Sequence, residues 1–249
     1  MLQVRKKIKL QSGQTGKIIY SDGSSVASEL NTVTISDPAD CNENMYYLYT
    51  ANNKVIVNAD CKTYSSAQFP INIKGILAGT GNAGHIKILS GGVIAPGLSP
   101  GTLTVGNIEW VEGGTYEFEI GKDASDKIVA VGTVKLGNGT LKVLRYQDYS
   151  PVAGAKYTLI DNDGTDAVTG TFKDLPEGAT FTTSDGAIYK INYGGGDGND
   201  VVLTVVGAPK VPNTGFNMLK NNPIATMLIT MASALFIVVV ARKKATSRI

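Results

Sequence analysis

Few residues of this 249-residue chain are of the types that do chemistry, and their spacing narrows what each could do. The single histidine, His85, excludes metal sites and catalytic triads built on several histidines. The two cysteines, Cys41 and Cys61, can pair or stay as buried free thiols, and with one distant histidine they supply too few ligands for a metal. Four glutamates, Glu109, Glu112, Glu117 and Glu119, fall on neighbouring strand-like segments, and cleavage of a glycosidic bond needs two carboxylates about 5–9.5 Å apart. Glu117 and Glu119, at i and i+2, share one face of a strand that has Tyr116, Phe118 and Ile120 on the other. That pattern reads as the solvated side of an alternating strand. The stretch Gly195-Gly196-Asp197-Gly198-Asn199-Asp200-Val201-Val202 fits the calcium nonapeptide G-G-x-G-x-D-x-U, but such sites share ions between tandem copies and only one copy is present. It reads instead as a tight turn leading into a last strand. Asp161-Asn162-Asp163-Gly164-Thr165-Asp166 is acidic, yet its glycine is fourth where an EF-hand needs it sixth, and no glutamate stands twelfth, which leaves room only for a weak, opportunistic calcium site. No catalytic residue, cofactor or metal is assigned on these grounds.

The remaining motif is Val211-Pro212-Asn213-Thr214-Gly215, by itself a plain turn. The residues C-terminal to it change its meaning. Residues 223–241, PIATMLITMASALFIVVVA, carry no charge, and as a helix they would extend roughly 28 Å, about the hydrocarbon thickness of a bilayer. Arg242, Lys243, Lys244 and Arg248 come next, which predicts a cytoplasmic tail (242–249) and an outer location for everything before the span. Together the Pro-x-Thr-Gly element, polar spacer, apolar span and basic tail resemble the cell-wall sorting signal read by sortases of Gram-positive-type bacteria, with Val211 where that family usually has leucine. The resemblance implies that a sortase cysteine attacks the Thr214 carbonyl, releases Gly215 onward, and passes the acyl group to an amine of the peptidoglycan precursor. Val211 would fill an apolar pocket, Pro212 would bend the substrate, and Gly215, lacking a Cβ, would let the nucleophile approach. On this reading the chain is the substrate of an enzyme, not an enzyme. Its partners are a sortase, the cell-wall precursor and, through residues 223–241, the membrane.

The elements that must carry these motifs are β. Short alternating apolar segments recur at 32–35, 47–49, 55–57, 71–73, 86–89, 103–105, 116–120, 129–131, 134–136, 141–144, 157–160, 189–191 and 201–205, each bounded by Gly, Asn, Asp or Pro. The 29 glycines, about 12 % against a usual ~7 %, exclude a coiled coil, and the apolar content excludes intrinsic disorder. A net charge of +2 is too small to imply a nucleic-acid partner. Strand starts at 71, 86, 103 and 116 lie about fifteen apart, which suits stacked solenoid coils or a sandwich with regular hairpins.

Within this region Ile76-Leu77-Ala78-Gly79-Thr80-Gly81, then Ser90 through Val105 (SGGVIAPGLSPGTLTV) and Gly113-Gly114-Thr115-Tyr116 resemble the passenger-associated repeat of autotransporter-like surface proteins. Downstream, Tyr157-Thr158-Leu159-Ile160, Val168-Thr169-Gly170-Thr171-Phe172, Leu175-Pro176-Glu177-Gly178-Ala179 and Gly196 through Leu203 are similar to the β-rich block that closes such passengers. The resemblance implies a right-handed parallel β-helix, placed at residues 1–145; if these make roughly seven or eight coils of about twenty residues, the rod is on the order of 35 Å long. A β-rich closing block at 146–206 and a linker with the sorting motif at 207–222 would follow, then the membrane helix. Twenty residues is about one coil, so Cys41 and Cys61 could meet on neighbouring coils, and an even count outside the cell favours a disulfide.

Met1 to Ile35 has a basic cluster (Arg5, Lys6, Lys7, Lys9) but no apolar run of secretory type, so the sequence is expected to be a piece of a longer exported protein. Residues 216–249 hold five basic and no acidic side chains, which leaves the part up to Gly215 at −3. The mean hydropathy of +0.02 likewise averages two unlike parts. The expected function is a surface-displayed, wall-anchored stalk or adhesin-like module, with a host, neighbour-cell or glycan surface as its ligand. The alternative is a membrane-anchored carbohydrate-active enzyme on a β-helix scaffold.

Overall fold

A computed structural model of the chain describes residues 31–41, 53–62 and 65–209. Among these the structure is mainly β, with short 3-10 turns such as Pro38–Asp40. Chain reversals at glycine, asparagine and proline send each short strand onto its counterpart one turn earlier, in parallel, and about five turns result.

Three sheets line the turns. The first contains β1 (Asn31–Ile35), β2 (Asn53–Val57), β4 (Ile76–Gly79), β6 (Val93–Pro96), β9 (Thr115–Ile120) and β12 (Thr140–Arg145), all parallel. The second runs β3 (Ile71–Ile73), β5 (Ile86–Ile88), β8 (Ile108–Trp110) and β11 (Val134–Lys135), again parallel. The third begins as β7 (Thr102–Val105), β10 (Lys127–Ala130) and β13 (Lys156–Asn162). Single-residue parallel bridges from Asp60 to Asn82 and from Asn82 to Thr104 carry this third face back into the earlier turns.

Register explains why the alternating pattern works. Val33, Val55, Leu77, Ile94, Tyr116 and Leu141 stand opposite one another in successive strands, and their neighbours in the second sheet are the columns Ile71, Ile86, Ile108, Val134 and Ile73, Ile88, Trp110. Each turn adds one residue to each apolar column, so the core lengthens without a new packing problem. The corner entering the first sheet is a column of glycines: Val93, Thr115 and Thr140 donate N–H to the carbonyls of Gly75, Gly92 and Gly114 at 2.9, 2.8 and 2.8 Å. At another corner Gly79 and Gly97 exchange backbone hydrogen bonds of 3.0 and 2.7 Å. Gly79 has φ +111° and a Cβ there would lie 2.1 Å from the Val57 carbonyl oxygen, so only glycine fits. The G-T-G element at 79–81 and the A-P-G element at 95–97 are thus partners on adjacent turns.

The expectation of evenly spaced coils needs correcting. The strands that start about fifteen residues apart lie on different sheets: β3 and β5 on the second, β7 on the third and β9 on the first. A full turn takes about seventeen residues from Ile76 to Val93 and about twenty-five from Thr115 to Thr140. The five turns also fall short of the seven or eight expected for 1–145, although 1–30, 42–52 and 63–64 lie outside the described residues.

The chain changes direction after β13. β13 pairs in parallel with β10 but antiparallel with β16 (Asp200–Gly207), which pairs antiparallel with β15 (Ile188–Gly195), and β14 (Thr180–Thr182) lies at the far edge. β13 is therefore at once the last strand of the parallel ladder and the first of the antiparallel block. The segment after it runs along the end of the second sheet, where Thr169 pairs with β11: the Leu136 N–H donates to the Thr169 carbonyl and the Thr169 N–H to that of Val134, at 2.9 Å each. Asn138 donates to the Thr171 carbonyl at 3.2 Å, and Lys173 to that of Gly139 at 2.8 Å. These bonds cover backbone groups that an open solenoid end would leave as a sheet edge. Under them, Phe172 sits 5.8 Å from Trp110, 6.4 Å from Tyr116 and 6.5 Å from Tyr193 between ring centroids.

Candidate functional site

The two cysteines meet on neighbouring turns. Cys41 follows the Pro38–Asp40 turn, which Asp37 caps by accepting the Ala39 N–H at 2.9 Å. Cys61 follows the bridging residue Asp60 and donates its N–H to the Asn82 carbonyl at 2.6 Å. Both are fully buried and joined as a disulfide, with Cα atoms 5.5 Å apart. Closing this twenty-residue separation contributes about 3 kcal/mol on a chain-entropy basis.

The four glutamates are not brought to one place. Glu109 stands on β8 in the second sheet, whereas Glu117 and Glu119 stand on β9 in the first, so strands consecutive in the chain are not hydrogen-bonded neighbours. Glu109 pairs with Lys87 at 2.6 Å and Glu117 with Lys142 at 2.7 Å, each pair directly opposite across a parallel ladder. Glu112 lies 3.9 Å from Lys173. Tyr116, Phe118 and Ile120 are fully buried and alternate with Glu117 and Glu119, as period two requires. His85 accepts the Asn107 N–H at Nδ1 (2.8 Å), so it stitches one turn to the next at the corner between the third and second sheets.

A buried carboxylate that sequence reasoning missed lies at another corner. Asp126 is 1 % exposed and accepts backbone N–H groups from Gly101 (2.8 Å) and Glu119 (2.9 Å), joining the turn below to the end of β9. Burial pushes its carboxyl up to about 7, against the lowering pull of those two N–H donors. Tyr116, fully buried, donates its hydroxyl to the Leu159 carbonyl at 2.8 Å, and burial raises its phenol well above the ordinary value. The bonds from Gly101 to Asp126 and from Tyr116 to Leu159 each span more than twenty residues, so no local motif could have announced them.

The two aspartate-rich loops, far apart in sequence, are brought together. Gly195-Gly196-Asp197-Gly198-Asn199-Asp200 is the tight turn between β15 and β16, as the sequence suggests, with Gly198 N–H bonded to the Gly195 carbonyl at 2.8 Å. Gly196, at φ +57°, lies so close under the Asp200 carboxylate that a Cβ would fall 1.8 Å from its oxygen. Asp200 Oδ1 accepts the Asn162 N–H at 3.0 Å. Burial and the nearby Asp161 and Asp197 raise its carboxyl, while the Asn162 N–H and Lys127 act the other way. Asp161 pairs with Lys127 at 2.8 Å. The amide of Asn199 reaches into the 162–166 loop, and Asn162, at the inward position that continues the column Val105, Ala130, is 1 % exposed. Among the described residues no three His, Cys, Asp or Glu side chains converge as a metal site.

Val211, Pro212, Asn213, Thr214 and Gly215, expected to form a sorting motif, and the apolar run 223–241 lie outside the described residues. Among the described residues no helix is long and apolar enough to cross a membrane. No family model matches the chain, and no curated protein matches it.

Proposed function

We propose that this chain is a surface-displayed stalk or adhesin-like protein with no catalysis of its own, held on the cell wall by a sortase that cleaves between Thr214 and Gly215. The observation that carries this reading is the order of features at the C-terminus: Pro212, Thr214 and Gly215, a polar spacer, nineteen uncharged residues and a basic tail, all behind a β-solenoid. On this account the solenoid is a right-handed β-helix, residues 223–241 hold the precursor in the membrane as a helix, and 242–249 stay in the cytoplasm until processing. Peptidoglycan then takes the place of the released segment at the Thr214 carbonyl.

A solenoid suits a spacer because each turn satisfies the backbone of the next and the molecule extends by repetition. Two of the glutamates that could have served hydrolysis, Glu109 and Glu117, are engaged with lysines across the ladders and stand on different sheets, which favours the structural reading over the carbohydrate-active one. The part retained after cleavage is mildly acidic, at −3, so binding of a host, neighbour-cell or glycan surface would not rest on positive charge. Thr214→Ala tests the anchor: in the cells that make this protein it moves the chain from the wall fraction to the membrane fraction. Unchanged wall linkage would refute the sorting reading.

A further inference from the structure

Where the two aspartate-rich loops meet, the hydrogen-bonding supply is unbalanced. Asn199 directs Nδ2 at three main-chain carbonyls at nearly equal distances, those of Asp163 (3.2 Å), Gly164 (3.3 Å) and Asp166 (3.2 Å). Asn162 directs its Nδ2 at the same Asp166 carbonyl, at 2.6 Å. Two amide NH2 groups therefore converge on one tripod of carbonyl oxygens, and each nitrogen has only two protons to give. At the other end of both amides the accounting fails: Oδ1 of Asn162 and Oδ1 of Asn199 are buried with no hydrogen-bond partner. The side chains are 1 % and 5 % exposed, so bulk solvent does not reach them. Asn162 also occupies a position where the preceding two turns place Val105 and Ala130, both fully buried. A polar residue at that inward place needs a reason beyond packing.

An amide exchanges its oxygen and nitrogen ends by a half-turn about its last torsion. After that turn Oδ1 of each asparagine occupies the place now held by Nδ2, and the carbonyl tripod gains two further oxygens. Such a cage repels itself unless a cation sits within it. We propose that this junction is a calcium site, whose ligands are the main-chain carbonyls of Asp163, Gly164 and Asp166 and the Oδ1 atoms of Asn162 and Asn199, the two amides turning over as the ion enters. Calcium suits it better than magnesium. Calcium accepts flexible oxygen shells at about 2.3–2.6 Å, whereas magnesium demands a tight octahedron at about 2.0–2.1 Å and gives up water reluctantly. The exposed carboxylates of Asp163 and Asp166 on the same loop, and Asp200 bonded to the Asn162 backbone, supply the negative field; Asp161 is already paired with Lys127. Neutral carbonyl and amide ligands place the affinity in the weak range of extracellular modules, about 10⁻⁴–10⁻³ M. An ion here would tie the end of β13 to the start of β16, the joint between parallel and antiparallel sheet.

The test is calorimetric titration of the full chain in nonionic detergent, stripped with EDTA and returned to chelator-free buffer, with CaCl2 and separately with MgCl2. One saturable calcium event with a Kd of about 10⁻⁴–10⁻³ M is expected, together with a Tm rise of a few degrees, about 2–5 °C, at saturating CaCl2. Asn199→Ala abolishes both. Asn199→Asp, which keeps the shape but presents only oxygens and adds a charge, tightens calcium about tenfold. A purely structural staple gives a different pattern, with Asn199→Asp destabilised at every calcium concentration. No saturable calcium event in the unmodified chain, an equal response to MgCl2, or an Asn199→Asp variant whose Kd is unchanged or whose binding is lost would overturn the assignment.

Discussion

The solenoid turns and the antiparallel block that follows them solve the same problem, burying short strands, by opposite means. In the turns, residues one circuit apart do the same job: Val55, Leu77, Ile94 and Tyr116 occupy one column, and the bonds between turns are mainly backbone to backbone. In the block, each side-chain contact has its own geometry. Tyr193 donates its hydroxyl to the Leu175 carbonyl (2.7 Å) and accepts the Phe172 N–H (3.0 Å); Glu177 accepts from the Asn192 side chain (2.8 Å) and the Tyr193 N–H (2.7 Å). Arg145, on the last parallel strand of the first sheet, bonds Asp185 of the block at 2.6 Å. Burial alone would raise the Asp185 carboxyl, but the Thr183 hydroxyl, the Ala187 N–H and the Arg145 charge outweigh it and hold it below the usual range. Repetition makes turns interchangeable, while the end of a repeat has no next turn and must be closed by side chains made for the purpose.

That contrast can be broken at its joint. Phe172→Ala removes the ring that packs on Trp110 and Tyr116, and costs about 3–5 kcal/mol. If the block closes the solenoid, one cooperative thermal transition moves down, with hydrogen exchange rising on β9 and β12 as well as on β15 and β16. Two separated transitions, with the parallel turns unmoved, would show that the block is merely attached.

Replacing both cysteines by serine costs about 3 kcal/mol, and because turns contact only their neighbours the loss should stay local. Hydrogen exchange should rise over β1 and β2 and stay unchanged over β15 and β16.

A smaller effect separates the regions by pH. Asp126 titrates near 7 in the folded chain and near its ordinary 3.8 when unfolded, so the folded form binds the extra proton between those values. Its contribution to stability is fully present below about pH 4 and is lost as the pH rises to about 7. Asp126→Asn should flatten that part of the stability curve measured by urea unfolding; a curve unchanged by the substitution would contradict the assignment. Least of all, Glu117→Gln breaks the exposed pair with Lys142 and should change stability by under about 1 kcal/mol, as chemical denaturation would register.

The sequence alone made the alternation legible wherever a strand keeps period two, as in Thr115–Ile120, whose inward Tyr116, Phe118 and Ile120 are all buried. It concealed β4, β6 and β8. Ile76–Gly79 buries three residues in a row because Gly79 folds into the corner against Val57, and Val93–Pro96 ends on a proline. Ile108–Trp110 is too short to show a period. The bonds Asp126 to Gly101, Tyr116 to Leu159 and Asn199 to the 163–166 carbonyls were equally hidden, since each joins residues at least twenty-five apart. Such contacts exist only once the turns are stacked, so no local pattern carries them. The proposed sorting motif is the reverse case: a linear peptide read by another protein would be complete in sequence, with no tertiary contact needed to recognise it.

The anchoring account is tested most directly by mass spectrometry of the mature C-terminus released from purified cell walls. The account predicts a C-terminal peptide that ends at Thr214 and carries a peptidoglycan fragment on its carbonyl. Recovery of the chain intact to Ile249, in the membrane fraction alone, would contradict it.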